Sequence, residues 1–199
     1  MSRGVDVTYE SVRQWCLRFG HDYAKRIKAR EGRLGDTWHL DEVFIRIKGK
    51  QHYLWRAVDQ DGDVLDILVQ RRRNAKAAMR FLRKLLKGLR YAPRMMVTDK
   101  LRSYGAAHRE LGISAKHETG QYKNNRAENS HQPSRQKERQ MRGFKSHGHA
   151  QRLLSSHGMI NNLFRRDRHL MSARAFRELR ERAFAMWNGV TGVVPAMCG

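Results

Sequence analysis

"WHLDEVFIRIKGKQHYLWRAVDQDGDVLDILVQ", residues 38–70, decides how the chain is read. From Asp41 the side chains alternate, so that Val43, Ile45 and Ile47 fall on one face of an extended segment. "KGK" then turns the chain into "QHYLWRAVD", and "DQDGD" turns it again into "VLDILVQ". Strands joined by such short connections pair antiparallel, which makes this stretch a three-stranded meander. It opens on two adjacent carboxylates, Asp41 and Glu42, in a chain whose other charges are mostly positive.

Downstream, "NAKAAMRFLRKLLKGLR" places Ala78, Phe81 or Leu82, Leu85 and Leu89 on one helical face, with Arg80, Arg83, Lys84 and Lys87 elsewhere. A basic amphipathic helix could lie on a membrane surface, but packing over the sheet is the favoured reading. "RMMVTD" is short, apolar and uninterrupted, as befits a central strand buried on both faces, and it ends on Asp99. A helix over about 101–111, a short strand "ISAKHE" and a polar loop "TGQYKNN" follow. The order βββαβα(β)α is mixed rather than strictly alternating, which favours one sheet with helices on its faces. Beyond Phe144 two amphipathic segments close the chain, one lined by Leu153, His157, Ile160 and Phe164, the other by Phe176, Leu179, Ala183 and Trp187. Upstream, residues 8–19 read as a short helix capped by Thr8, with Val12, Trp15 and Phe19 at helical spacing, before a spacer containing Gly32 and Gly35.

Composition narrows the partners. Among 199 residues, 41 lysines and arginines stand against 19 acids, a formal charge of +22. That excess points to a polyanion, with DNA or RNA as the default, bound by release of counterions from the phosphate backbone. No stretch approaches the roughly 20 apolar residues of a spanning helix, and the first ten residues lack the apolar centre of a signal peptide. Cys16 and Cys198 form neither a disulfide framework nor a zinc motif. The expected setting is a reducing cytoplasm.

Three acids stand where packing alone does not account for them: Asp41, Asp99 and Glu128 in "NNRAENSHQPSRQKER". Convergence of such carboxylates in a basic cleft makes a site for Mg²⁺, a hard cation that shares its oxygen ligands with phosphate. Two such ions about 4 Å apart activate an attacking oxygen and stabilise a leaving one. Each acid also has a plainer reading. Asp99 could cap the helix that follows, Asp41 could guard a sheet edge, and Glu128 could balance Arg126, Arg135 and Lys137. "DQDGD" resembles the start of a calcium loop but lacks its distal glutamate. His147 and His149, two residues apart, suit surface or phosphate-facing roles better than metal ligation.

Four blocks, "WHLDEVFIRIKGKQHYLWRAVDQDG", "RRRNAKAAMRFL", "VTDKLRSYGAA" and "NNRAENSHQPSRQKERQMRGFKS", together resemble the bacterial insertion-sequence transposases of the insertion-sequence-six family, within the DDE class. The resemblance runs from about residue 4 to 187. It implies an α/β, ribonuclease-H-like mixed sheet, three antiparallel strands plus parallel ones, flanked by helices. It implies a catalytic and metal-binding triad of Asp41, Asp99 and Glu128 with two Mg²⁺ ions, Mn²⁺ as a substitute. The activity implied is cleavage at element ends and transfer of the freed 3′ hydroxyl into target DNA. Arg135, seven residues after the glutamate, is expected to face DNA, with Arg126, Lys100, Lys123 and Arg139 as further contacts.

The partners implied are double-stranded DNA and further copies of the chain, as a homodimer or larger assembly in a nucleoid-associated setting. The implied division is a truncated helix-turn-helix remnant and linker over 1–35, the catalytic core over 36–146, and a helical extension and tail over 147–199. Residues 4–19 resemble the last helix of that remnant. The interval from Asp99 to Glu128 is shorter than usual for the family, and Pro133 either kinks the helix carrying Glu128 or leaves Glu128 in the loop before it. The alternatives are an inactive remnant, a structure-selective nuclease on the same fold that hydrolyses without joining, and a non-catalytic basic nucleic-acid-binding protein.

Overall fold

Three antiparallel strands form as the alternation requires: β1 Thr37–Ile47, β2 Lys50–Val58 and β3 Val64–Gln70, in a computed structural model that describes residues 7–30, 32, 34–99, 101–120, 124, 127, 143–165 and 171–192. The β1–β2 turn places Lys48 and Gly49 at φ +50° and +75°. Two positive φ values are those of a type I′ turn, whose twist matches the flanking strands, and Gly49 occupies its half at no steric cost. In "DQDGD" the Asp59 carboxylate accepts from the N–H groups of Asp61 at 3.0 Å, Asp63 at 2.9 Å and Gly35 at 3.1 Å. Its oxygens are spent on the backbone, which makes this a turn and not a cation loop.

β3 leads into helix α2, Ala75–Leu89, which Asn74 caps by accepting from Ala77 N–H at 3.0 Å. Arg90 closes the helix in the left-handed conformation at φ +62°, its N–H bonded to the Leu86 carbonyl. Ala77, Ala78, Phe81, Leu82 and Leu85 are the buried stripe, close to the face read from periodicity. They pack on Trp38, Leu40, Trp55, Ala57, Leu65 and Met96 of the sheet, together with Tyr104 and Ala107 of helix α3, Arg102–Glu110. Burying a side chain such as Phe81 in full contributes roughly 1.5–3 kcal/mol.

Between these helices runs β4, Met95–Thr98, and after α3 comes β5, Lys116–Thr119. The sheet order is β3-β2-β1-β4-β5, with β1 and β4 parallel and β4 and β5 parallel. This is the mixed ribonuclease-H-like sheet that the resemblance implies, three antiparallel strands plus parallel ones. β5 begins later than "ISAKHE" suggests. Ala115 and Ile113 pack against the core from the approach to the strand, while the strand itself is a half-exposed edge.

The chain divides into two compact units, residues 33–154 and a second made of residues up to 32 with those from 155 onward. In the second unit α1, Tyr9–Arg30, is much longer than the helix read over 8–19. Thr8 does cap it, accepting from Ser11 N–H at 3.1 Å. Its buried positions include Gly20, Ala24 and Ile27, whereas Val12, Trp15 and Phe19 are exposed. Gly20 is small for a reason: a Cβ there would stand 3.2 Å from Ser156. Two further helices are α4, His147–Phe164, and α5, Ala173–Thr191. Ile27, Leu163, Ala183 and Val190 form this unit's core with Tyr23, Ile160, Met186 and Trp187 around it. Of the stripe read on α5, Ala183 and Trp187 take part in this core; Phe164 is exposed, and α4 buries Ala150, Leu153, Leu154, Met159 and Leu163 instead.

Candidate active site

β4 pairs with β1 only as far as Thr98 opposite Leu40. Beyond that point, among the described residues, β1 has no paired strand on this side before the isolated bridge of Ile47 to Phe144, which leaves a notch at the carboxyl end of the parallel pair. Asp99 follows the last residue of β4, and Asp41 and Glu42 follow Leu40. Ligand oxygens of Asp41, Glu42 and Asp99 all lie within 4.8 Å of one another. Asp41 and Asp99, 58 residues apart in sequence, are thus brought together by adjacency of the first and fourth strands.

Asp41 and Glu42 enter the cluster from different environments. Asp41 is half-buried and stands opposite Arg56 of β2, on the face shared with Val43, Ile45 and Ile47. Glu42 is paired with Trp55 and shares the core face with Trp38 and Leu40. Its side chain is fully buried and accepts from Arg73 Nε at 2.5 Å. The same guanidinium lies 3.6 Å from Asp99 Oδ2, so Arg73 ties the two acids to one cation.

Burial, and then the charge of Asp99, push the Glu42 carboxyl up to about 7 despite Arg73. Burial likewise raises Asp99, with the Asp41 charge adding to it and the Leu101 N–H and Arg73 opposing. Tyr104, fully buried in the core beside Glu42, is raised well above its ordinary value by burial and then by the Glu42 charge. These acids are crowded and partly stripped of water, the condition in which a divalent cation is the favoured neighbour.

The Asp99 turn is itself fixed. Its Oδ1 accepts from Leu101 N–H at 2.9 Å, two residues short of α3, whose N-cap residue is Leu101 with no side-chain cap. Asp99 is therefore a turn-forming acid and not the helix cap. The Thr98 hydroxyl donates to the Asp99 carbonyl at 2.9 Å and is bonded to His117 Nε2 at 2.9 Å. Burial, with His108 and Arg109 nearby, lowers the His117 pKa, which favours the neutral ring at its contact with Thr98.

Asn124 completes the notch. Fully buried, it donates through Nδ2 to the Leu40 carbonyl at 2.7 Å, close to where β4 ceases to pair with β1. Ala127 is also buried, and its N–H bonds the Asn124 carbonyl at 3.0 Å. Glu128, Arg126, Arg135, Lys100, Lys123 and Arg139 lie outside the described residues, as does Pro133. His147 and His149 have backbone partners: His147 Nε2 is 2.7 Å from the Val69 carbonyl, and His149 Nδ1 accepts from Lys145 N–H at 3.3 Å.

Sequence reasoning did not select Glu42, Arg73, Tyr104 or Asn124. For Glu42 a signal existed, since Trp38, Leu40 and Glu42 share one phase of β1 and an acid on a core face demands a buried partner. Among the described residues, no helix is long and apolar enough to cross a membrane.

Comparison with known proteins adds a family. A family described as "DDE domain" matches residues 35–167. The transposase for insertion sequence-like element IS431mec of Staphylococcus aureus is 31% identical over 134 residues, covering 65% of this chain and 59% of the relative. The chain thus spans about three-fifths of the length of the curated relatives it matches. Among solved structures, a simian T-cell lymphotropic virus intasome in complex with a PP2A regulatory subunit overlaps 66% of this chain and 50% of its own at a TM-score of 0.47 and 15% identity. The HTLV-2 integrase catalytic core domain in complex with magnesium overlaps 79% of this chain and 87% of its own at 0.40 and 15%.

Proposed function

The chain belongs to the DDE-domain transposases of the insertion-sequence-six family, and from that membership we propose that it cuts DNA at element ends and joins the freed 3′ hydroxyl to target DNA. The observation that carries the reading is the meeting of Asp41 and Asp99 at the end of the parallel strand pair. Their oxygen donors, crowded and partly desolvated, fit a hard divalent cation. Asp41, Asp99 and Glu128 would hold two Mg²⁺ ions, with Mn²⁺ as a substitute. Bound there, such ions supply activation of an attacking oxygen and charge neutralisation at a leaving one.

Support for Glu128 as the third acid comes from its neighbours, because Asn124 is anchored on Leu40 and Ala127 is buried next to it in sequence. Glu42 has a different task. With Oε1 engaged by Arg73, it holds the guanidinium where it can orient Asp99. Lys100, Lys123, Arg126, Arg135 and Arg139 are assigned to DNA phosphates, in keeping with the net charge of +22. The working form is a homodimer or larger assembly on paired DNA ends, in the bacterial cytoplasm at the nucleoid.

A gel assay with a pre-cleaved element end, a target plasmid and Mg²⁺ tests the proposal. Joined products that vanish in Asp41→Asn, Asp99→Asn and Glu128→Gln are the expected result. Nicks without joining would mark a nuclease. Activity indifferent to all three substitutions would leave a basic nucleic-acid-binding protein.

A further inference from the structure

The arginine run at 71–73 splits between two destinations. Arg73 turns to Glu42 and Asp99. Arg71 and Arg72 instead line a cleft of about 610 Å³ between the end of β3 and the first turns of α2, with Lys76 and Arg80 contributing from the helix. Lys76 and Arg80 are one helical turn apart, and all four cations are exposed. No carboxylate is among the described residues that line the cleft.

Like charges at this spacing on a helix repel by roughly 0.2–0.5 kcal/mol per pair, so folding stability gives no reason for the arrangement. An anion does. The walls are also held in place: Gln151 Oε1 accepts from Val69 N–H at 2.8 Å, His147 Nε2 meets the Val69 carbonyl, and Gln70 donates to the Ala77 carbonyl at 2.8 Å. Edge strand β3 is thereby pinned on one side and tied to α2 on the other.

We propose that this cleft seats consecutive phosphates of one DNA strand, continuing the path of the strand that reacts at Asp41 and Asp99. The proposal rests on the DNA-joining reading for the identity of the polyanion. A cavity of this volume is about 10 Å across, room for about three nucleotide steps at ~3.4 Å of axial rise each, far more than a single phosphate ion needs. Its position follows from the chain: Arg72, on the cleft wall, is bonded directly to Arg73, which touches the acid cluster. Contacts of this kind read no sequence, so the cleft positions a strand without selecting it.

The experiment measures binding of the full chain, in EDTA, to element-end and random-sequence duplexes and to single-stranded oligonucleotides by fluorescence anisotropy across a series of KCl concentrations. Arg71→Ala with Arg80→Ala removes one cation from each wall and leaves Arg73 alone. The expected result is a slope of log K against log salt shallower by about 2 on duplex, equally for element-end and random sequences. Lys87→Ala with Arg90→Ala, at the other end of α2, serves as the charge-matched control with a smaller change. An unchanged slope in the cleft variant, or an equal change in the control, overturns the proposal, and a loss confined to single strands overturns its duplex form. Should the double variant fail to fold, Arg71→Gln and Arg80→Gln singly are each expected to lower the slope by about 1. Metal and chemistry play no part in this readout, so a wild type that joins DNA with an unaltered variant slope counts against the cleft alone. A protein that binds through the cleft and joins nothing counts against the transposase reading alone.

Discussion

Replacing Glu42 by glutamine keeps the shape of the side chain and removes its proton equilibrium. In the folded protein the carboxyl titrates at about 7 against an ordinary value of 4.5. Because the folded state binds this proton more tightly than the unfolded chain, the stabilisation is complete below about pH 4.5 and is lost as pH rises through about 7. At about 1.4 kcal/mol per pH unit, the interval amounts to about 3 kcal/mol. The side chain is fully buried, so little of this is screened by solvent. Urea unfolding of wild type and Glu42→Gln in EDTA, from pH 5 to 8.5, isolates the effect as the difference between the two proteins, since other titrating groups are common to both. Wild type is expected to lose about 3 kcal/mol relative to the variant across that range. A difference that stays flat with pH would refute the reasoning, because it would mean that Arg73 already keeps Glu42 ionised throughout.

Other consequences follow from the same geometry. Arg73 opposes the rise at both Glu42 and Asp99, so Arg73→Gln is expected to move the Glu42 titration above about 7, read from its side-chain carboxyl carbon by NMR; no movement would show the ion pair to be idle. Mg²⁺ held beside Glu42 is expected to expel the Glu42 proton below about pH 7, so that binding strengthens as pH rises to it, which calorimetry in buffers of different ionisation enthalpy measures directly. Asn124→Ala removes the donor to the buried Leu40 carbonyl and is expected to cost about 1–3 kcal/mol in urea unfolding, with strand joining reduced beyond what the unfolded fraction explains. Asn124→Asp, which keeps the shape and loses the donor, should reproduce the defect.

The meander was legible because one buried face and tight turns impose a period of two, and the α2 stripe because five buried apolar positions recur at helical spacing. The convergence of Asp41 and Asp99 was legible only through the adjacency of β1 and β4, which local pattern does not specify. The second half of α1 was hidden. In "HDYAKRIKAR" the buried Ala24 and Ile27 are outnumbered by charges, and the core partners of Ile27, which are Leu163, Ala183 and Val190, lie more than a hundred residues away. For α4 the phase was misjudged because small residues such as Ala150 carry much of the burial while Phe164 faces out. The role of Glu42 was obscured by its neighbour. Two adjacent acids on a strand point to opposite faces, and only the end of β4 at Thr98 allows both to reach one site.

The most direct measurement is anomalous diffraction at the manganese edge from crystals of the protein soaked in Mn²⁺. A peak within coordinating distance of Asp41 and Asp99, lost in Asp99→Asn, is the expected result. Saturating Mn²⁺ with density only at other sites, or an undiminished peak in Asp99→Asn, would contradict it.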